Sequence, residues 1–450
     1  MENKIIKLNQ NGRSRKEILA ELKKFNKTDA DWSQGKTFSL VYHAGEEHTD
    51  FIKEAYNIYF HHNGLNPGAF PSLQKFEAEV LSQVIDLFHG YEDTQNPAAG
   101  TMTSGGSESI MMAIKTYRDY YRTHRPEIIQ PEMIVPQTIH PAFDKAAVYF
   151  NVKMLKAPVD QNFQVDIEQV KKMINKNTIL LVGSAPQYPQ GIMDPIQTLA
   201  DLALENKISL HVDACLGGFF IPFAKLAGFE IPEFDFKIKG VTSISADLHK
   251  YGFTAKGASV ILYRNKDLRR FQFFVSKDWP GGLFGSPSMT GTRPGGSIAA
   301  AWATLQAYGI EGYTQVAQEV MTTTMKLQEG IKQIGYTILG KPVIGVYAFT
   351  HQSLDVYAVA DQMSLRGWYL DRQQYPAALH MMITPAHTKV ADQFLKDLKE
   401  STDFVLAHPE TSNQGMAATY GMAAKAPDPS MIDMFLYQFM DERYDVKSSL

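Results

Sequence analysis

The sequence predicts an α/β fold: a central, mostly parallel sheet with helices on both faces, followed by a smaller C-terminal α+β domain. Two patterns in the 450 residues carry this expectation. Between about residues 96 and 305, short β-branched and apolar runs alternate with helical stretches, and uninterrupted apolar runs suit strands covered on both sides. After residue 306, long helical stretches surround only a few strands.

The elements follow in chain order. Residues 1–95 read as a helical segment: Leu73, Phe76, Val80, Val84, Leu87 and Phe88 recur at three and four residues, with Pro71 and Ser72 as the start. In the large domain, residues 96–305, the runs Met133–Val135, Thr178–Val182, Ile208–Val212, Val241–Ser245 and Ala258–Tyr263 read as strands. Ser107–Tyr121, Asp166–Ile174 and Pro195–Glu205 read as the helices between them. The small domain, residues 306–450, carries the helical stretch Tyr313–Ile334 and strands at Thr337–Leu339, Val343–Phe349 and His380–Ile383.

Composition narrows the function. The chain is 44% hydrophobic and 20% charged, enough for a sizeable core, and its formal net charge is −4. That balance argues against a protein built to coat nucleic acid or an anionic membrane. A single cysteine, Cys215, excludes an internal disulfide and any multi-cysteine metal site, and suits a reducing cytoplasm. The N-terminus is too polar for a signal peptide or anchor, and no apolar run approaches the roughly 20 residues of a transmembrane helix. The expectation is a cytoplasmic protein with no transmembrane segment, no nucleic-acid partner and no metal.

Four features carry chemistry. Lys250, in Ser245-Ala246-Asp247-Leu248-His249-Lys250-Tyr251-Gly252, follows a strand, where open α/β sheets gather ligands. A lysine there suits an imine with an aldehyde cofactor, although any single lysine is more often a solvated surface group. Asp213 ends the strand Ile208–Val212 and suits a protonated pyridine nitrogen; alone it would equally cap a helix or brace a turn. Thr103-Ser104-Gly105-Gly106-Ser107-Glu108-Ser109 opens a helix, and its glycines let backbone N–H groups approach an anion; the alternative is an ordinary cap by Ser104 or Ser107. His140 follows the strand Met133–Val135, as a ring stacking on a planar cofactor would. Together an anion site, a ring, an acid and a lysine, each at a strand–helix junction, point to pyridoxal 5′-phosphate.

These residues resemble a known family. Segments 245–257, 211–219 and 103–109 are similar to the sphingosine-1-phosphate lyase family, within the group II decarboxylase-like pyridoxal phosphate enzymes. Val41-Tyr42, Phe70-Pro71, Gly291-Thr292-Arg293-Pro294-Gly295-Gly296 and the segment from Gly415 to Ala423 extend the resemblance over most of the chain. It implies a type I, aspartate-aminotransferase-like fold and a homodimer with shared active sites, to which the N-terminal segment contributes. Without the membrane anchor of eukaryotic members, the chain groups with the soluble bacterial forms.

By the same resemblance Lys250 is the Schiff-base lysine, Asp213 pairs with the ring nitrogen, and His140 stacks on the ring. Ser104, Gly105, Gly106 and Ser107 hold the cofactor phosphate, beside His249 and Thr292, with Thr292 reaching over from the partner subunit. Tyr42 assists at the substrate, Lys256 binds the substrate phosphate, and Asn63 matches a substrate-side asparagine at that phosphate site. Asn66 stands where the family carries a histidine for the substrate phosphate, and brings no positive charge. The implied reaction cleaves the C2–C3 bond of a phosphorylated sphingoid base in a retro-aldol sense. An amino-acid decarboxylase on the same fold is the alternative, and a non-catalytic cofactor carrier a third.

Three further expectations concern the surroundings. Phe273, Phe274, Trp279, Leu283 and Phe284 read as ordinary core packing ahead of a tail channel or a dimer interface. His61 and His62 read as solvated surface residues ahead of substitutes for the phosphate histidine missing at Asn66, and least of all as metal ligands. Cys215 reads as buried and not catalytic.

Overall fold

The computed structural model describes residues 7–417 and 429–445. Three helices come first: α1 (Arg15–Phe25), α2 (Glu46–Ile58) and α3 (Pro71–Leu87). Proline fits the first turn of α3 because the N–H it lacks would have no partner there. Leu73, Val80, Val84 and Ile85 turn inward along α3 at helical spacing.

The large sheet is built from β1 (Ala99–Thr103), β2 (Glu132–Pro136), β3 (Lys153–Ala157), β4 (Thr178–Ser184), β5 (Ser209–Asp213), β6 (Ser243–Ala246) and β7 (Ser259–Tyr263), in the spatial order β1-β7-β6-β5-β4-β2-β3. Strands β3, β2, β4, β5 and β6 are mutually parallel, and β7 runs antiparallel to both β6 and β1. The crossovers carry α4 (Gly106–His124), α5 (Ala142–Phe150), α6 (Ile167–Met173), α7 (Ile196–Asn206) and α8 (Ile221–Leu226). β1 and β3 were not legible as strands. β3 is a sheet edge with two exposed lysines, and β1 carries glycine and threonine where an apolar run would be expected.

Each face of the sheet has its own core. Ile134, Leu181, Leu210, Val212, Ile244 and Leu262 belong to the larger core, shared with α3, α7, α8 and the long helix described below. Met133, Val135, Val182, Ile261 and Tyr263 pack with Ile110, Ile114 and Tyr117 of α4 and Phe143 of α5. Each such side chain removed from water is worth about 1.5–3 kcal/mol before entropy is counted.

Beyond the sheet lie α9 (Lys266–Arg270), a hairpin of β8 (Phe274–Ser276) and β9 (Phe284–Ser286), and the helical run α10 (Gly295–Ile334), which bends at Gly309 (φ 53°). A second sheet of β10 (Thr337–Ile338), β11 (Val346–Thr350), β12 (Asp371–Gln373) and β13 (Ala378–Met382) is antiparallel in the order β10-β11-β13-β12. Helices α11 (Val356–Leu365), α12 (Ala391–Ala407) and α13 (Pro429–Tyr444) complete the described elements. Residues 418–423 of the late glycine–methionine segment lie outside the described residues. No described helix is long and apolar enough to cross a membrane.

The aromatic stretch departs from expectation. Phe274, Trp279 and Leu283 are 58%, 57% and 89% exposed. The physical reason is that, among the described residues, β8 and β9 pair only with each other, so no described third strand covers the hairpin. His62 also departs: it is half-buried between Tyr59 and Phe70, while its neighbour His61 is exposed.

Candidate active site

A cavity of about 460 Å³ opens at the carboxyl ends of β4, β5 and β6 and the amino end of α4. Tyr42, Ser104, Gly105, Gly106, Ser107, His140, Asp213, His249, Lys250 and Lys256 all line it. The topology explains why: a parallel sheet brings strand ends from distant parts of the chain to one edge.

Asp213 is the last residue of β5 and is buried. Its Oδ1 accepts from the Cys215 N–H (3.1 Å) and the Ser245 hydroxyl (3.3 Å). No described protein donor reaches Oδ2, which leaves that oxygen for a ligand's N–H. His140 lies on the loop before α5, its ring exposed to the cavity and its Nδ1 accepting from the Ala142 N–H (3.1 Å). Burial, only partly offset by the Asp213 charge, pulls its pKa down and favours a neutral ring.

Lys250 extends from the turn after β6, with Nζ 2.9 Å from Asp247 Oδ2. Neither oxygen of Asp247, 1% exposed, meets a donor in good hydrogen-bonding geometry. The pair is therefore an ion contact between a buried carboxylate and a half-buried lysine. Burial acts to lower the Lys250 amine, but the Asp247 charge overcomes it and holds the pKa above the usual lysine range. His249 accepts the Ala258 N–H at Nδ1 (3.3 Å), so Nε2 carries the proton; burial lowers its pKa.

The loop between β1 and α4 supplies the anion site. Both the N–H and the hydroxyl of Ser104 donate to Glu108 Oε2, each at 2.6 Å. The amides of Gly105, Gly106 and Ser107 thus remain at the start of α4, where the helix dipole adds positive character. Gly106 is required by close approach: a Cβ there would stand 2.7 Å from Asp247 Oδ2 and 2.8 Å from Cys215 Sγ.

On the substrate side, the Lys256 ammonium donates to the Leu40 carbonyl (2.8 Å) and sits 5.2 Å from the Tyr42 ring centroid. The Tyr42 hydroxyl donates to Met382 Sδ at 3.1 Å. Burial, with the charge of Asp247 beside it, holds Tyr42 well above the usual tyrosine range, so it stays a neutral hydroxyl.

Asn63, Asn66 and Thr292 do not line this cavity. Asn63 Oδ1 accepts from the Leu65 and Arg293 N–H groups (2.9 and 3.1 Å), and its Nδ2 donates to Thr292 Oγ1 at 3.5 Å. Asn66 Oδ1 accepts the Ala69 N–H (3.3 Å). The three are committed to the turn that docks against the Gly-Thr-Arg loop. Glu77 fixes this loop by taking both terminal nitrogens of Arg293, at 2.9 and 2.5 Å.

Sequence reasoning missed three residues. Tyr188 lines the cavity, its hydroxyl donating to Asp371 Oδ2 at 2.7 Å. Asp247 and Glu108 sit inside the lysine and glycine motifs, where the sequence alone assigns neither a role. A signal existed for Tyr188, which stands four residues beyond the end of β4. Cys215 is buried, and burial pushes its thiol well above the usual range, away from nucleophilic character.

The conserved domain of pyridoxal-dependent decarboxylases matches residues 3–352. The sphingosine-1-phosphate lyase of rice is 45% identical over 430 residues, covering 94% of this chain and 79% of that protein. The yeast sphingosine-1-phosphate lyase is 40% identical over 447 residues, covering 97% and 75%. The chain belongs to the sphingosine-1-phosphate lyase branch of the pyridoxal-dependent decarboxylase family. The structure of a Burkholderia pseudomallei sphingosine-1-phosphate lyase superposes with a TM-score of 0.89 at 37% identity, covering 98% of each chain. A Lactobacillus brevis glutamate decarboxylase, at 18% identity and a TM-score of 0.78, shares the fold. The protein is thus a pyridoxal-phosphate-dependent enzyme of type I fold, and the free Asp213 oxygen, the unpartnered amides of α4 and the Lys250 amine fit that cofactor.

Proposed function

We propose that this protein is a lyase that cleaves the C2–C3 bond of a phosphorylated sphingoid base, yielding phosphoethanolamine and a long-chain aldehyde. One observation carries the reading: Lys250, Asp213 and a second lysine, Lys256, converge on a single cavity. When bound, pyridoxal phosphate supplies an aldehyde for the substrate amine and a ring that accepts the electron pair of the breaking bond.

The chain's own residues do the rest. The amides of Gly105 to Ser107, with His249, would hold the cofactor phosphate; Asp213 Oδ2 would hold the ring nitrogen; His140 would stack on the ring; and Lys250 would take the aldehyde. Lys256 anchors the substrate phosphate, binding energy remote from the reacting bond that helps orient it. Tyr42, kept neutral, donates a hydrogen bond on the substrate side. The protein works as a cytoplasmic homodimer, with Thr292, Asn63 and Asn66 facing the partner's cavity. Their absence from the lining of this chain's cavity and the exposed β8–β9 hairpin support that arrangement.

The test is incubation with a phosphorylated long-chain amino alcohol. Stoichiometric fatty aldehyde is expected. Carbon dioxide from free amino acids with no aldehyde would overturn the reading in favour of a decarboxylase; a bound cofactor with no turnover of any amine would leave only a carrier.

A further inference from the structure

A row of buried hydrogen bonds runs from Asp213 back through the sheet, and it exists because of strand register. β5 and β6 pair His211 with Ser243 and Asp213 with Ser245. Side chains alternate across a strand, so these four share one face, while Leu210, Val212 and Ile244 point into the apolar core opposite. All four are buried, His211 and both serines completely. Tyr117 of α4 packs over them, also completely buried.

The distances make a continuous chain. The Tyr117 hydroxyl lies 2.6 Å from Ser243 Oγ, Ser243 Oγ lies 2.7 Å from His211 Nδ1, His211 Nε2 lies 3.2 Å from Ser245 Oγ, and Ser245 Oγ lies 3.3 Å from Asp213 Oδ1. Counting donors fixes the direction. As a carboxylate Asp213 only accepts, so Ser245 spends its one proton there. The Ser245 oxygen must then accept, and the His211 proton belongs on Nε2. Nδ1 is left as an acceptor for the Ser243 hydroxyl, and Ser243 in turn accepts from Tyr117. The remaining lone pair of Ser245 takes the Cys215 thiol at 3.5 Å. Each donor in the row therefore points toward Asp213.

We propose that His211 is a positioning residue: it locks the Ser245 hydroxyl as a donor to Asp213 Oδ1, and so keeps that carboxylate aimed at the cofactor's ring nitrogen. A histidine suits the place because it passes a hydrogen bond in at one ring nitrogen and out at the other without carrying charge. Its burial, which pulls its pKa down to about 4, keeps it neutral. A row of aligned hydrogen-bond dipoles in a low-dielectric interior strengthens its last member. The inference rests on the cofactor assignment alone and is independent of which substrate bond is cleaved.

The test compares holoenzyme of the wild type, Ser245→Ala, His211→Phe and His211→Gln. It reads cofactor release after dilution into a cofactor scavenger, the pH dependence of the cofactor's visible absorption, and the thermal midpoint of each cofactor-free protein. Release about tenfold faster is expected for Ser245→Ala and His211→Phe, the weight of one hydrogen bond to a charged group. Both should also shift the spectral pH profile in the same direction. His211→Gln, which keeps an N–H toward Ser245, should return to within about threefold of wild type. If His211→Phe releases cofactor at the wild-type rate with an unmoved profile, the proposal is wrong. It is equally wrong if the glutamine variant fails as badly as phenylalanine while the thermal midpoints of both fall, because packing alone would explain that. Ser245→Ala, a small change, keeps the test decisive if His211→Phe does not fold.

Discussion

The Lys250 ammonium lies 2.9 Å from Asp247 Oδ2, and both oxygens of Asp247 are sealed from solvent. A buried carboxylate beside an amine favours the ammonium strongly, because a buried charge without a partner is costly. Only the neutral amine attacks an aldehyde.

The first prediction follows from that pair. In cofactor-free protein Asp247 raises the Lys250 pKa, so removing its charge lowers it and leaves more neutral amine at a given pH. For Asp247→Asn the pH profile of cofactor rebinding should move down by at least about one pH unit. Stopped-flow absorbance across pH 6–9 measures it. An unmoved profile would show that Asp247 does not control the amine.

Lys256 offers a cleaner separation of binding from chemistry. Removing a charge-assisted hydrogen bond to phosphate costs about ten- to a hundredfold in affinity. Lys256→Ala should therefore raise KM for a phosphorylated substrate by that factor and leave kcat within a few fold, with little change for the dephosphorylated analogue. Equal losses on both substrates would assign Lys256 to its contacts with Leu40 and Tyr42 instead.

The exposed hairpin predicts assembly. Trp279 and Leu283 are 57% and 89% exposed, an arrangement that suits a covered interface. Trp279→Asp combined with Leu283→Asp should convert a dimer of about twice the 50.5 kDa chain mass into monomer by sedimentation, with loss of activity. A double variant that sediments as wild type would exclude the hairpin from the interface.

Buried histidines predict acid sensitivity. Burial pushes His211, His380 and His387 each down to about 4, against about 6.5 in an unfolded chain. As pH falls below 6.5 the unfolded chain takes up protons that the folded one refuses, so stability present at neutral pH is lost toward pH 4. At pH 5.5 each histidine should cost about 1 kcal/mol. Asp194, lifted by burial to about 7, binds its proton more readily when folded and offsets part of this loss. Urea unfolding at pH 7.5 and 5.5 measures the sum, and His387→Gln isolates one share: its loss on acidification should be smaller by about 1 kcal/mol. An unchanged loss would mean that His387 titrates normally when folded.

The sequence by itself determined the sheet, the cofactor and the residues at the strand ends. Uninterrupted apolar runs need cover on both faces, and a parallel sheet delivers its strand ends to one edge, so Asp213 and Lys250 meet although they lie far apart in the chain. Tertiary structure alone decided what depends on contact between segments. The alternation in β5 and β6 that puts His211 beside Ser243 and Ser245 is visible in sequence only once the register is known. The same holds for Asp247 beneath Lys250, Tyr188 in the cavity wall, and Asn63 turned toward Thr292 rather than Lys256. The aromatic run from Phe273 to Phe284 shows the limit from the other side: hydrophobicity says that a surface is to be covered, and only the pairing of two short strands, with no third among the described residues, reveals that the described chain leaves it exposed.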